Sequence, residues 1–488
     1  MRKKFIANIG FLLLLNLLVK PFWILGIDRS VQNDVGPDVY GVYFALFNFS
    51  YLFQMILDFG INNFNNRLVS QDPARLGIYL ISTLAVKVIL TVVYIIVLFI
   101  AAIGINFNND QLELLGSLMM MQILMSFYSF LRSNISALHL FKTDAVLSVL
   151  DKLITSVICA LILWTSVFKF PISVNSFVWA QISGYISGLI VALAVILKQH
   201  ITIKWKIDLS LIREIFKKSF PYALLGFLMT AYYRVDGVMI ERILKTDGAY
   251  QAGIYASAFR LLDALNIIGF LFAGLLLPMF SRMIEIKENI KPLLDLGYKL
   301  MLLFCAASGI TCIFYRLDIM QLLYETGDIY SASIFGWLMI SFICISITYI
   351  YGSLITAQGN IRKLNLISLA GFLLNILLNF ILIPQYKALG SAMATVASQS
   401  LILVAHIYIS NRLFAIPFAE KKWMHSLIFI TLVILINWAI GEINTTWYYK
   451  FVLSGILSTM SAIPAGLFSL KELTMSIPPL LRGIRKNQ

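Results

Sequence analysis

The chain has few charged residues for its length. Of its 488 residues, 13% are charged and 60% are hydrophobic, whereas soluble domains are about 25% charged and about 45–50% apolar. So few charges cannot cover the surface of a soluble protein of this size, which excludes a soluble enzyme or a soluble binding domain. The mean hydropathy of +0.86 agrees, and the composition therefore predicts an all-α polytopic membrane protein.

Cysteine and histidine are also scarce, with four residues of each. The cysteines all lie within apolar runs and none forms a C-x-x-C pair, which is typical of small core residues. The sequence has no cluster with metal-ligand spacing, no Walker loop and no G-x-G-x-x-G motif. We therefore expect no metal, no cofactor and no catalytic residue.

Long apolar runs are what the chain has in abundance. A transmembrane helix needs about 20 mostly apolar residues, and the sequence contains about fourteen such runs. The first follows a basic start but lacks a small-residue cleavage site, so we interpret it as a retained span. The approximate limits of the runs are 5–27, 39–64, 76–104, 113–138, 145–167, 175–197, 219–240, 249–281, 293–315, 329–356, 364–383, 388–410, 423–440 and 448–470.

The net charge of +14 is explained by membrane topology. In a soluble protein such a charge would raise the question of nucleic acid, but in membrane proteins Lys and Arg collect in cytoplasmic loops. With a cytoplasmic N-terminus, about 25 of the 38 basic residues fall on the cytoplasmic side and about 7 on the other side. This bias places both termini in the cytoplasm, and we expect no nucleic-acid partner.

A short motif recurs at the same place in two predicted spans. G-V-Y from Gly41 opens the second span and G-I-Y from Gly253 opens the eighth. About six spans precede a basic linker and about six follow it, which favours two parallel six-helix repeats over a chance recurrence. The predicted parts are an N-terminal lobe, a basic cytoplasmic linker, a C-terminal lobe, two additional transmembrane helices and a basic cytoplasmic tail, at 1–200, 201–218, 219–412, 413–470 and 471–488.

Two longer blocks resemble a known family. They are Asn16–Gln71, which contains "NLLVKPFWILG", and Leu354–Ser400, whose core is Asn375, Asn379 and the following Ile-Pro pair. With these blocks and its span plan, the whole chain resembles the Wzx-type polysaccharide repeat-unit flippases of the multidrug/oligosaccharidyl-lipid/polysaccharide (MOP) exporter superfamily.

This resemblance implies a V-shaped, two-lobed transporter with a central cavity in a bacterial inner membrane. The implied substrate is an undecaprenyl diphosphate-linked oligosaccharide, carried from the cytoplasmic to the periplasmic leaflet by alternating access for O-antigen or capsule synthesis. Cavity cations would hold the diphosphate. Coupling to H⁺ or Na⁺, and contact with a polymerase or a chain-length regulator, are open expectations.

Three cations are expected at similar depth in the membrane. Lys20 and Arg234 each lie about fifteen residues into the first span of their repeat, and Arg260 lies about eleven residues into the next span. A lipid-facing charge there would cost about 3–10 kcal/mol. We therefore predict that the three bind the diphosphate, with snorkelling of Lys20 or structural ion pairing as alternatives. Pro21 is expected to bend the first span.

Two aspartates are candidate partners of these cations. Asp263 is spaced to pair with Arg260 on one helix face. Asp236, two residues after Arg234, points elsewhere and could pair with Lys20 as a gate. This second pair would break when a substrate competes for the cation.

A polar stripe follows in the second predicted span. Asp58, Asn62 and Asn66 would provide an ion-coupling site or a surface for sugar hydroxyls, or else only a polar helix end. Lys87 is a weaker cavity candidate, whereas Lys152 is expected to snorkel.

Three rival functions remain to be weighed. A lipid II-type flippase would share the plan and a cationic cavity. A cation-coupled multidrug exporter of the same superfamily would favour acidic cavity residues, which the excess of cations in the spans disfavours. A membrane polymerase or ligase would need a sizeable outside loop with catalytic residues, and the outside loops here are short, so we expect no enzyme.

Overall fold

The computed structural model describes residues 2–71, 76–165, 167, 171–199, 209–416 and 420–468. Within these ranges every regular element is a helix, as expected where lipid cannot satisfy backbone polar groups. The α-helices are α1 (Arg2–Phe22), α2 (Arg29–Leu52), α3 (Gln54–Asp58), α4 (Ile61–Gln71), α5 (Leu76–Gly104), α6 (Asn109–Ala137), α7 (Phe141–Trp164), α8 (Val174–Leu197), α9 (Leu209–Leu244), α10 (Gly248–Glu285), α11 (Lys291–Phe314), α12 (Arg316–Leu323), α13 (Ile329–Ala357), α14 (Ile361–Tyr386), α15 (Ala388–Leu413), α16 (Glu420–Gly441) and α17 (Trp447–Met460).

Eleven candidate membrane spans occur in the described residues, by length and apolar composition. Two are too long for one crossing: Leu14–Asp58 has 45 residues and Ala223–Glu285 has 63, against about 20 for a hydrocarbon core of about 30 Å. Each is interrupted, at Gly36 with a φ of 79° and at the 3₁₀ turn Lys245–Asp247. When each of these two is counted as two crossings and the 14-residue α17 is added, the described residues contain about fourteen spans. This number confirms the predicted fold.

The helix geometry changes where Pro21 lies. α1 ends at Phe22, and a π-helical turn, Trp23–Asp28, connects it to α2. Proline removes one helical hydrogen bond, and π turns occur as local irregularities of this kind, often at functional sites. Both ends of the turn, Trp23 and Asp28, are buried.

The second predicted span, 39–64, is not one helix. α2 ends at Leu52, α3 has five residues, and α4 begins only at Ile61. Phe59 and Gly60 separate α3 from α4 with left-handed φ values of 45° and 76°. That conformation is unfavourable for phenylalanine, so neighbouring groups must hold it in place. The prediction of one continuous helix from 39 to 64 is therefore wrong.

The chain divides into two compact units. In the first, α14 packs along α9 and α6 packs along α8. The predicted lobes at 1–200 and 219–412 stay a prediction. The first unit comprises Met1–Ala264, Leu323–Thr326 and Ile361–Ala394, and the second comprises Leu265–Leu322, Gly327–Asn360 and Thr395–Gln488.

α11 lies at the centre of the second unit, where it packs against α13, α16 and α17. Two tyrosines near its ends hold the last two helices. The Tyr298 hydroxyl is 3.0 Å from Ser426 Oγ, and the Tyr315 hydroxyl is 3.1 Å from Ser454 Oγ. Buried hydroxyl groups need such partners, so these pairs fix the additional helices to the unit.

Parts of the predicted organisation fall outside the described residues. This applies to 201–208 of the predicted linker and to the predicted tail, 471–488. The remainder of the predicted linker, from Leu209, forms the first turns of α9.

The two copies of the G-[VI]-Y motif lie against each other in the first unit. A Cβ atom on Gly41 would collide with the backbone of Ala249 and Gly253, and one on Gly253 would collide with the backbone of Pro37. The Gln32 side chain also joins the two segments, because its Nε2 donates a hydrogen bond to the Gly253 carbonyl oxygen at 2.9 Å. Only glycine lets the two backbones approach so closely.

Candidate substrate and gating site

Arg260 joins the two copies of the predicted repeat through Asp28 and Tyr40. Its Nε lies 2.8 Å from Asp28 Oδ2 and 3.1 Å from the Tyr40 hydroxyl, which itself donates to Asp28 at 2.8 Å. Asp28 is only 2% exposed. Removing either charged partner would leave a buried charge uncompensated. The pair can therefore open only when another group takes the place of one partner.

Arg234 reaches the same cluster through Asp263. Its Nη1 lies 3.3 Å from Asp263 Oδ2, and the Tyr233 hydroxyl donates to Oδ1 at 2.8 Å. The guanidinium also lies 5.4 Å from the centre of the Tyr51 ring, within cation–π range. Asp263 contacts Arg260 as well, at 3.8 Å, so the predicted pair on α10 is present and the two arginines share one carboxylate.

The charges of this cluster are balanced. Arg234 and Arg260 face the carboxylates of Asp28 and Asp263, which leaves no net charge among these four groups. A guanidinium can bind phosphate oxygens in a fork. In this state, however, an anion could do so only by displacing a carboxylate.

Lys20 lies in a different set of neighbours. Arg132, Asp151 and Lys152 are close enough to act on its charge. One turn earlier, Asn16 Nδ2 donates to Ser148 Oγ at 2.9 Å, which joins α1 to α7. The structure thus brings Arg234 and Arg260 together, whereas Lys20 stands with α6 and α7.

Lys152 is a functional candidate that the sequence reasoning missed. It lies in the middle of the 24-residue α7. Its Nζ is 4.9 Å from the centre of the Trp23 ring, 3.5 Å from the Tyr185 hydroxyl and 3.6 Å from Asp151 Oδ2. The snorkelling interpretation is therefore wrong, because the ammonium is held inside the protein by rings and a carboxylate. No spacing rule in the sequence indicates these neighbours.

Arg132 is the second residue that was missed. Its Nε lies 3.0 Å from Asp144 Oδ1, and its guanidinium lies 5.8 Å from the centre of the Tyr128 ring. The sequence places it near the cytoplasmic end of the predicted span 113–138, and it lies in α6. Together with Lys20 and Lys152 it forms the basic cluster of the N-terminal helices.

This basic cluster is not neutral. Lys20, Arg132 and Lys152 carry three positive charges, and the carboxylates next to them are Asp144 and Asp151, while Asp28, on which Lys152 also acts, is paired with Arg260. The excess of one positive charge attracts an anion without displacing a carboxylate first. The side chains of Arg132 and Lys152 are 26% and 21% exposed, so neither is fully buried.

Asp236 has hydrogen-bond partners from two helices. It accepts from the Tyr255 hydroxyl and from Asn379 Nδ2, both at 2.8 Å, and Asn379 also contacts Asn375 Oδ1 at 3.0 Å. The carboxylate is 1% exposed. The acidic neighbour of Lys20 is Asp151. Asp236 thus ties α9 to α10 and α14.

The stripe predicted in the second span is interrupted by the break before α4. Asp58 accepts hydrogen bonds from the backbone N–H groups of Gly60 and Asn62. It thereby acts as the cap of α4, with Asn62 and Asn66 half-buried behind it. Lys87 Nζ binds Ser126 Oγ at 2.6 Å and does not point into open space.

In the part of the chain that the structure describes, no group of three or more His, Cys, Asp or Glu side chains could hold a metal ion.

The chain has the fold of transporters of the MOP superfamily. It is similar to the lipid II flippase MurJ in an inward closed conformation, with a TM-score of 0.68 and 14% identity over 91% of this chain and 97% of that one. It is also similar to an inward-facing multidrug resistance MATE family transporter, with a TM-score of 0.65 and 12% identity over 83% and 94% of the two chains.

A third similar structure is a MOP superfamily transporter from Pyrococcus furiosus, described as having a binding pocket of reverse polarity. Its TM-score is 0.61, with 12% identity over 84% of this chain and 95% of that one. The family model described as "Polysaccharide biosynthesis protein" matches residues 5–284, more than half of the sequence. The chain therefore belongs to that family. No curated protein matches it.

Proposed function

We propose that this protein moves undecaprenyl diphosphate-linked oligosaccharide repeat units from the cytoplasmic to the periplasmic leaflet of the bacterial inner membrane. Membership of a polysaccharide biosynthesis family and a MOP transporter fold support a lipid-linked cargo. The observation that carries the proposal is the net positive cluster of Lys20, Arg132 and Lys152 on α1, α6 and α7. Such an excess of charge within membrane spans is costly unless it serves an anion.

The diphosphate binds first at Lys20, together with Arg132 and Lys152. These cations can receive an anion directly, because they outnumber their carboxylates. The lysines provide point charges, and Arg132 can offer its guanidinium fork. This proposal keeps Lys20 in the head-group site and adds the two residues that the sequence did not indicate.

Arg234 and Arg260 take part in a later step. Asp28 and Asp263 hold them in this state, and a diphosphate that arrives replaces those carboxylates. Lys152 lies between the clusters, since its charge acts on both Lys20 and Asp28. When the diphosphate replaces the two carboxylates, Arg234 and Arg260 have other partners than in the state without cargo. Alternating access requires such a difference between the two states.

Coupling to H⁺ or Na⁺ is assigned to Asp236. Its buried carboxylate accepts hydrogen bonds from the Tyr255 hydroxyl and the Asn379 amide, and the carboxylate itself is the group that would bind a proton or a small cation. Contacts with a polymerase or a chain-length regulator also belong to the proposal for O-antigen or capsule synthesis. A lipid II-type cargo is the second candidate, because the MurJ structure is similar over nearly its whole length.

The test is the lipid-linked saccharide content of a deletion strain that carries the wild-type gene or a variant. We expect the deletion to accumulate undecaprenyl diphosphate-linked oligosaccharide and the wild type to clear it. Lys20→Ala plus Arg234→Ala should fail to clear it, whereas Lys299→Ala, in the second unit, should rescue. A deletion that accumulates no such lipid and leaves the surface glycan unchanged would contradict the proposal and favour a multidrug exporter.

A further inference from the structure

Lys87 is a buried cation that none of the proposed binding steps uses. It is 1% exposed. Its Nζ lies 2.6 Å from Ser126 Oγ, 3.3 Å from the Ser126 carbonyl oxygen and 3.1 Å from the Leu57 carbonyl oxygen. An ammonium group has three N–H donors, and these three acceptors match them in number. The side chain is therefore fixed in one position.

The Leu57 carbonyl is available to Lys87 because the helix stops there. α3 ends at Asp58, and the left-handed residues Phe59 and Gly60 follow. A carbonyl at a helix end has no partner within the helix and needs another donor. Lys87 supplies one, and the Ser126 hydroxyl supplies a second at 3.2 Å. The buried cation thus compensates the break in the span.

Asp58 secures the break from its other side. Its carboxylate accepts from the backbone N–H groups of Gly60 and Asn62, as an N-cap residue does. Its negative charge also acts on Lys87. The break between α3 and α4 is therefore held by a lysine on one side and an aspartate on the other.

The break seats the ring of Phe59 against α9. The centres of the Phe59 and Phe216 rings are 5.2 Å apart with an interplanar angle of 60°, and Phe220 lies at 6.2 Å. These are favourable edge-to-face distances. Phe59 belongs to the first predicted repeat, whereas Phe216 lies in the predicted linker and Phe220 at the start of the second repeat, near the predicted cytoplasmic start of α9.

We infer that Lys87 is a positioning residue of the transport cycle. It holds the break at Phe59–Gly60 in the conformation that seats Phe59 on α9, and this contact closes the passage between the α3–α4 segment and α9. When the passage opens, Phe59 leaves Phe216 and the break relaxes toward regular helix. This inference rests on the alternating-access part of the proposed function and not on the identity of the cargo.

The test measures access to α4 from the predicted cytoplasmic side. Asn62→Cys serves as the reporter, in a background in which all four native cysteines are replaced by alanine. Its rate of labelling by a membrane-impermeant maleimide is measured in inside-out membrane vesicles. We expect Lys87→Met to raise the rate about tenfold by shifting the population toward the open passage. Phe59→Ala should raise it to a similar extent.

A matched control is Lys299→Met, which removes a lysine from α11 of the second unit and should leave the rate unchanged. If Lys87→Met labels at the parent rate while Phe59→Ala labels faster, the gate stands but the role of Lys87 is refuted. If neither variant labels faster, the whole inference is refuted.

Should the Lys87→Met protein fail to accumulate, Ser126→Ala decides the matter. It keeps the cation and removes only its nearest acceptor, so faster labelling is again expected and an unchanged rate contradicts the inference. The assay needs no cargo. Faster labelling of Lys87→Met would therefore support the gate even if the deletion strain accumulates no lipid-linked saccharide. That second result would contradict only the proposed cargo.

Discussion

Arg260 and Asp28 form a shielded ion pair, with 2.8 Å between Nε and Oδ2, although they lie in opposite halves of the predicted duplication. Tyr40 hydrogen-bonds to both partners. Each predicted repeat therefore contributes one sign of charge to a contact that neither could complete alone. The consequences can be tested with single substitutions.

Asp28→Asn should destabilise the protein by about 3 kcal/mol, because it leaves the Arg260 guanidinium without its main counter-charge in a buried place. The measurement is thermal unfolding in detergent. The control is Asp247→Asn, whose partner Lys387 is 2.7 Å away in a pair with 53% and 38% exposed side chains. Loss of that exposed pair should cost less than about 1 kcal/mol. Equal effects of the two substitutions would contradict a special role for the shielded pair.

Gly41→Ala should destabilise the contact between α2 and α10 by about 1–3 kcal/mol or more, because the new methyl group meets backbone atoms that cannot rotate away. Gly116→Ala is the matched control, since nothing lies within 4 Å of a Cβ at that position in α6, and alanine favours a helix. Thermal unfolding of the two purified variants should show a clear loss for the first and no loss, or a gain, for the second.

Lys20→Met should abolish clearance of the lipid-linked saccharide, because it removes the charge that exceeds the local carboxylates. Lys20→Arg should keep a substantial part of the activity, since the charge remains at nearly the same place. Both variants must be present at the wild-type level, which is checked by immunoblotting. Full activity of Lys20→Met would show that the diphosphate does not depend on this residue.

Asp236→Asn should uncouple transport from the ion gradient. The amide keeps the size of the side chain but loses the charge that would bind a proton or Na⁺. In vesicles we expect the dependence of transport on an imposed H⁺ or Na⁺ gradient to disappear. Asn375→Ala, which removes an amide one turn from Asn379, should weaken the dependence without abolishing it. An unchanged gradient dependence in Asp236→Asn would place coupling elsewhere.

The sequence predicts the membrane spans and the approximate depth of several charged residues in the membrane, but it does not predict which helices are neighbours. Hydrophobic length identified the membrane helices, and residue spacing on α10 identified the pair of Arg260 and Asp263. Asp28 was missed because it lies near a predicted helix end, where a carboxylate usually faces water. Its burial follows from the π turn after Pro21, which no periodicity rule indicates.

Lys152 and Arg132 were misjudged for a related reason. Their positions near the predicted cytoplasmic ends of their spans favoured snorkelling for Lys152 and gave no reason to single out Arg132. Their real surroundings come from rings and carboxylates on other helices, such as Trp23 and Asp144. The break at Phe59 was missed because a Phe-Gly pair inside an apolar run is compatible with a continuous helix. Only the position of Lys87, which holds the break, indicates otherwise.

The contact between Gly41 and Gly253 also limits how the two halves of the chain can diverge. Each glycine faces the main chain of the other predicted copy. A side chain at either position would therefore collide with that main chain, whatever residues surround the glycine. The two copies are free to differ in cargo contacts, in charge and in loop length. Where they touch, they must change together or not at all.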